Sequence, residues 1–193
     1  MESTTRVRMV ESGLKLLRRQ GYAGTSWREM VKEGGTPWGS VHHFFPGGKE
    51  QLAKEALTLF GQGFETFFEG ICAHHARPSE RVRAWFDAVV ADINANGYAN
   101  GCPVAGIALS AVPMVTPLAE ACNDSMAQWI DLIAQNLTTT RISAVEARAL
   151  ATKVLIGFEG ALVLARVQQS SESLRITGEW LAQMLTAAEN SAE

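Results

Sequence analysis

Apolar residues recur at helical spacing along nearly the whole chain, and nowhere do they alternate strictly with polar ones as a half-buried strand requires. That periodicity directs the chain to an all-α fold. Val7, Val10, Leu14 and Leu17 stand at i, i+3, i+7 and i+10 behind Ser3, Thr4 and Thr5, with Gly21 as a stop, and predict a first helix over about residues 4–20. Thr25 or Ser26 caps a second helix. Glu29 follows Ser26 by three residues, the capping-box spacing, and Trp27, Met30 and Val31 form the apolar face. Gly34-Gly35-Thr36 interrupts, and Pro37, tolerated in a first turn, opens a third helix over about 37–44 with Trp38, Val41 and Phe45 inward.

Longer patterns follow. One runs from Lys49 to the His74-His75 stretch, one from Ser79 to near Gly97, and a short one covers about 103–111. Another is opened by Pro117 and reaches Leu137, and the last two span about 143–169 and 172–188. The expectation is nine helices, three short ones first, in two parts: a head over 1–50 and a body over 51–193, coupled through the fourth helix.

Charge separates the same two parts. The net charge is −3, but residues 1–55 carry nine Lys/Arg against six Asp/Glu, and the remainder carries eight against fourteen. A uniformly basic nucleic-acid coat is thereby excluded, while a basic head remains. Cys72, Cys102 and Cys122 are odd in number and form no C-x-x-C pair, which argues for a reducing, cytoplasmic setting. The most apolar run, Val154 to Ala165, is about half the length a bilayer demands and contains Glu159, so no membrane partner is expected.

Two short amphipathic helices joined by a glycine-containing turn allow one helix to brace the other in the major groove of DNA. Residues 26–45 have that form. Gly39 permits close approach, Thr36 and Ser40 suit phosphate or base edges, and His42 and His43 can donate to phosphate oxygens. Arg28 and Lys49 are placed for the DNA backbone, Lys49 at a helix N-terminus that itself attracts phosphate. Ser26, Pro37 and the part of Trp38 left outward complete the candidate DNA-binding set.

Gly21-Tyr22, Thr25-Ser26, then Gly35-Thr-Pro-Trp-Gly39-Ser40-Val41-His42-His43-Phe44-Phe45-Pro46 and Lys49-Glu50-Gln51-Leu52 resemble the N-terminal domain of TetR-family transcriptional repressors. The Phe45-Pro-Gly-Gly-Lys-Glu form and the downstream Asn100-Gly-Cys-Pro-Val-Ala-Gly106 segment resemble the LmrA/YxaF-like subgroup. The resemblance implies a homodimer that binds a palindromic double-stranded operator and leaves it when a small-molecule effector occupies the C-terminal domain. Two positions depart from it: Trp38 stands where the family commonly has lysine, and His42 where it has tyrosine.

In the body, Trp85, Val89, Cys102, Met114, Trp129, Ile133, Phe158 and Leu162 are candidates to line a site for an apolar or aromatic effector. Helices 8 and 9 read as a dimer interface. Val154, Gly157 and Ala161 combine small and apolar residues that permit close helix approach, and Ile176, Trp180 and Met184 face them. The rival reading is an all-helical enzyme or ligand-binding protein without specific DNA binding. Cys72, His74 and His75 match no metal-ligand spacing, and no catalytic residue, metal or cofactor is expected.

Overall fold

In a computed structural model, residues 4–111, 116–139 and 142–190 are described, and among them the chain forms nine α-helices and no strand. They are α1 (Thr4–Gly24), α2 (Trp27–Gly34), α3 (Ser40–Phe44), α4 (Gly48–His74), α5 (Pro78–Ala95), α6 (Pro103–Ala111), α7 (Thr116–Leu137), α8 (Ala144–Gln168) and α9 (Glu172–Asn190). The all-α reading holds element by element. Two local differences have clear causes. α1 continues past its expected stop through a kink at Gly21, whose φ of 68° is available to glycine at little cost. α3 is shorter than expected because the turn before it closes with i→i+3 bonds: Ser40 N donates to Pro37 O and Val41 N to Trp38 O, each at 3.1 Å.

Two compact units emerge. The first comprises Met1–Gly63 and Asn100–Met126. Within it, α6 lies against the C-terminal part of α1. Gly101 N donates to Arg18 O at 2.8 Å, and Tyr22 N donates to the Ser110 hydroxyl at 3.1 Å. The approach is close enough that a Cβ on Gly21 would come within 3.1 Å of Gly106 O.

The second unit comprises Phe64–Ala99 and Ala127–Glu193. α9 packs against both α5 and α8. Gly178 of α9 abuts Phe86 of α5, where an added Cβ would sit 2.7 Å from the Phe86 Cβ. Gly157 of α8 has the same role toward Leu181 and Thr177 of α9, each 3.1 Å from its virtual Cβ.

That packing corrects part of the expected dimer interface. Val154 and Ala161 are buried within the chain, and Gly157 serves the chain's own α8–α9 contact. The side of α8 left in solvent instead carries Ile156, Val163, Leu164 and Val167, and Ile176 and Trp180 are exposed on α9. Met184 is half-buried. Among the described residues no helix is long and apolar enough to cross a membrane.

The two kinds of glycine give opposite expectations. Gly178→Ala should destabilise the protein, because overpacking costs about 1–3 kcal/mol and helix propensity returns at most about 1 kcal/mol. Gly70→Ala on α4, whose Cβ meets nothing within 4 Å, should stabilise by up to about 1 kcal/mol. Urea unfolding followed by circular dichroism reads both signs.

Candidate functional site

The head is assembled from short-range signals. Ser26 caps α2: its hydroxyl oxygen accepts from Glu29 N at 3.3 Å, and the Glu29 carboxylate accepts from Ser26 N at 3.0 Å and from its hydroxyl at 2.8 Å. This is the reciprocal box that the spacing indicated. At the other end, Gly35 is left-handed with φ 56°. Its N–H donates to Lys32 O at 3.3 Å and that of Thr36 to Val31 O at 3.1 Å, the pair of bonds of a Schellman motif.

Tertiary contacts then hold α2 and α3 in place. The buried Ser12 hydroxyl of α1 lies 3.0 Å from Met9 O and 3.1 Å from Met30 O, tying α1 to α2. Lys15 and Glu33 form an ion pair across the same two helices. Val41 and Phe45 are buried. The Phe45 ring has Trp27 at 5.7 Å and the Arg6 guanidinium at 5.7 Å, and Arg6 also pairs with Glu55 at 2.7 Å.

With that side buried, the other is open. Ser26, Arg28, Pro37, Gly39, His42 and His43 are exposed, and Ser40 is half-buried. Gly39 has open space where a side chain would stand. Trp38, expected inward with Val41 and Phe45, is instead 57% exposed. Trp38 lies in the turn before α3, which starts only at Ser40, so the periodicity of that helix does not set the side on which the indole falls. Thr36 is buried, and its hydroxyl has no hydrogen-bond partner.

Lys49 is partly engaged within the fold. Its ammonium donates to Tyr22 O at 2.6 Å and to Thr25 O at 2.7 Å, and lies 4.1 Å from the Tyr22 ring centroid. Burial pushes its pKa below the ordinary lysine value. Two of its three donors thus close the end of α1 onto the start of α4. Sequence reading missed Tyr22 as the ring beneath it and Ser110 as the group meeting the Tyr22 amide, because neither has a local signature.

In the second unit the structure brings together Trp85, Trp129 and Phe158 of the expected effector set. Trp85 and Phe158 are 4.9 Å apart between centroids. Phe64, present in the sequence only as part of a helical apolar run, stands between the two tryptophans at 5.3 Å from Trp85 and 5.2 Å from Trp129. Ile133 and Leu162 are buried and Val89 is half-buried. Cys102 belongs to the first unit, where it precedes α6 and accepts from Ala105 N at 3.5 Å, and Met114 lies outside the described residues. Burial raises the Cys72 thiol pKa, the reverse of what an activated nucleophile needs. Among the described residues no three His, Cys, Asp or Glu side chains are arranged to hold a metal ion.

Comparison with known proteins agrees with this architecture. Residues 78–180 match the family described as "Transcriptional regulator LmrA/YxaF-like, C-terminal domain". The HTH-type transcriptional regulator LmrA of Bacillus subtilis is 28% identical over 170 residues, covering 88% of this chain and 90% of that one. The HTH-type transcriptional regulator YxaF of the same organism is 27% identical over 91% of this chain and 92% of its own. Among solved structures, a TetR transcriptional regulator from Legionella pneumophila has the same fold, with a TM-score of 0.83 at 19% identity over 95% of this chain and 98% of that one. A cysteine mutant of the TetR family regulator CifR, complexed with 26 bp double-strand operator DNA, has a TM-score of 0.79 at 19% identity, again over 95% and 98%.

The capping box at the base of this surface gives a pH signature. Hydrogen bonds from Ser26 hold the Glu29 carboxyl below its ordinary pKa. A depressed carboxylate pKa contributes stability that is fully present above the unfolded value, about 4.3, and is lost as pH falls through the folded one. Glu29→Gln keeps the shape without the charge. The stability difference between it and the wild type is expected to be largest near neutral pH and to close as the solution is acidified below about pH 4, measured by urea titrations at a series of pH values.

Proposed function

The chain belongs to the LmrA/YxaF-like group of TetR-family transcriptional regulators, and from that premise we propose that it is a cytoplasmic repressor. It binds a palindromic operator as a homodimer and leaves it when a small apolar or aromatic effector is bound. The carrying observation is the asymmetry of the head: Val41 and Phe45 are buried, while Trp38, Gly39, His42 and His43 face solvent. A helix buried on one side and open beside a glycine is suited to enter the major groove, with Ser40 and the histidines reaching base edges or phosphates. Ser26 at the cap of α2 and Arg28 in its first turn then meet the sugar–phosphate backbone. Thr36 acts through the turn that sets α3, and Lys49 contributes chiefly by holding α1 and α4 in register.

Division of labour follows the chain. Residues 1–50 carry DNA binding, and residues 51–193 carry effector binding and dimerisation. The exposed Ile156, Val163, Leu164 and Val167 on α8, with Ile176 and Trp180 on α9, supply an apolar seam that a second copy covers in a four-helix arrangement. Two-fold pairing is what two half-sites about 34–36 Å apart require. The effector's ring contacts come from Trp85, Trp129, Phe158 and Phe64, whose edges and faces offer an aromatic ligand tilted stacking. Release then needs a coupling of only about 1–3 kcal/mol for an induction of about 5–150-fold.

Selection from a random duplex library at about 150 mM salt tests the reading. An enriched palindrome supports it, and no enrichment by folded, dimeric protein overturns it. Gly39→Leu is expected to abolish operator binding while leaving the unfolding midpoint near the wild-type value, because the position faces open space. Retained affinity would mean that α3 is not in the groove. Val167→Glu, at a site 77% exposed in the single chain, is expected to produce folded monomer in analytical ultracentrifugation and to lose operator binding with it.

A further inference from the structure

The largest exposed side chain of the helix-turn-helix is Trp38. Its backbone is held firmly: Pro37 O and Trp38 O accept from Ser40 N and Val41 N, each at 3.1 Å, and Val41 is buried immediately beyond. The indole is 57% exposed. Trp27 packs on Phe45, and Trp85 and Trp129 sit in the aromatic cluster around Phe64. Trp38 by contrast has neither a ring partner nor a side-chain hydrogen bond among the described residues. A rigid stem that carries an uncovered indole has the form of a contact made with something outside the chain.

Its surroundings select the partner. Gly39 leaves open space beside it, and Arg28, His42 and His43 are exposed on the same two-helix element. The acidic side chains of α2 are engaged elsewhere, Glu29 by Ser26 and Glu33 by Lys15. Donor-rich flanks around an apolar plate fit DNA. The major-groove floor carries mostly donors and acceptors, and the C5-methyl of thymine is the apolar group that projects from it. An indole has a single donor and no acceptor or charge, so it cannot make the bidentate bond to guanine O6 and N7 that a long cationic side chain makes.

We propose that Trp38 is a specificity-determining residue that covers the C5-methyl group of a thymine in each operator half-site. The proposal rests on the operator-binding reading and adds to it the identity of one base pair. Removing a buried methyl group is worth about fourfold in affinity at one half-site and about fifteenfold at two.

The experiment uses the operator selected by the intact protein. Each thymine is replaced in turn by deoxyuridine, which pairs identically but lacks the methyl, and binding is measured for the wild type and for Trp38→Ala. The expected result is one thymine per half-site whose replacement weakens wild-type binding about fourfold and leaves Trp38→Ala binding unchanged. A flat uridine scan with the wild type overturns the proposal. So does a methyl effect that persists in Trp38→Ala, since another residue would then read it. Equal weakening by Trp38→Ala on thymine and uridine operators also overturns it, assigning the indole to the sugar–phosphate backbone. Failure to select any operator overturns the parent reading and this one together. Circular dichroism and the urea midpoint of Trp38→Ala verify that the variant is folded.

Discussion

A helix of five residues cannot hold its own direction, because a single turn of backbone hydrogen bonds does not offset the entropy of fixing it. The direction of α3 therefore depends on burial of Phe45 and Val41. Phe45 is held between the Trp27 ring and the Arg6 guanidinium, and Lys49 locks the neighbouring segments by its bonds to the Tyr22 and Thr25 carbonyls. Once that side is sunk, the positions of Gly39, His42 and His43 follow from helical geometry alone. The exposed surface is a consequence of the buried one.

The second unit obeys the same rule at larger scale. Gly157 and Gly178 let α8 and α5 come close to α9, and the chain's own contact uses up one apolar face of α8. The opposite face keeps Ile156, Val163, Leu164 and Val167 in solvent, more apolar surface than a lone helix pair needs. A second copy burying it would make stability depend on protein concentration and would fix the distance between two heads.

Much of this was legible in particular residues. Ser26 with Glu29 marked the start of α2 and Gly35 its end, and the helices read from Ser79 and from about residue 103 begin at Pro78 and Pro103. The open side of the head was legible too, in Gly39, Ser40, His42 and His43. Trp38 misled because Trp38, Val41 and Phe45 stand at i, i+3 and i+7, the spacing of one helical face. The helix itself starts only at Ser40, so Trp38 lies in the preceding turn, where that spacing does not apply. Val154, Gly157 and Ala161 misled for a different reason. α8 is apolar nearly all round, so periodicity contains no signal for which side meets the chain itself and which meets a partner.

The sequence by itself determined the nine helices of the described residues and most of their ends, those of α1 and α3 apart, because caps, prolines and left-handed glycines act through bonds that reach at most about five residues. The tertiary structure alone decided where the ammonium of Lys49 goes, which side of α8 is spent within the chain, and that α6 docks on α1. Each of those depends on a partner distant in the chain: Thr25 is 24 residues from Lys49, and Tyr22 is 88 from Ser110. Local patterns carry the bonds that a segment makes with itself. The choice between equivalent faces is made only when two segments compete to cover the same surface.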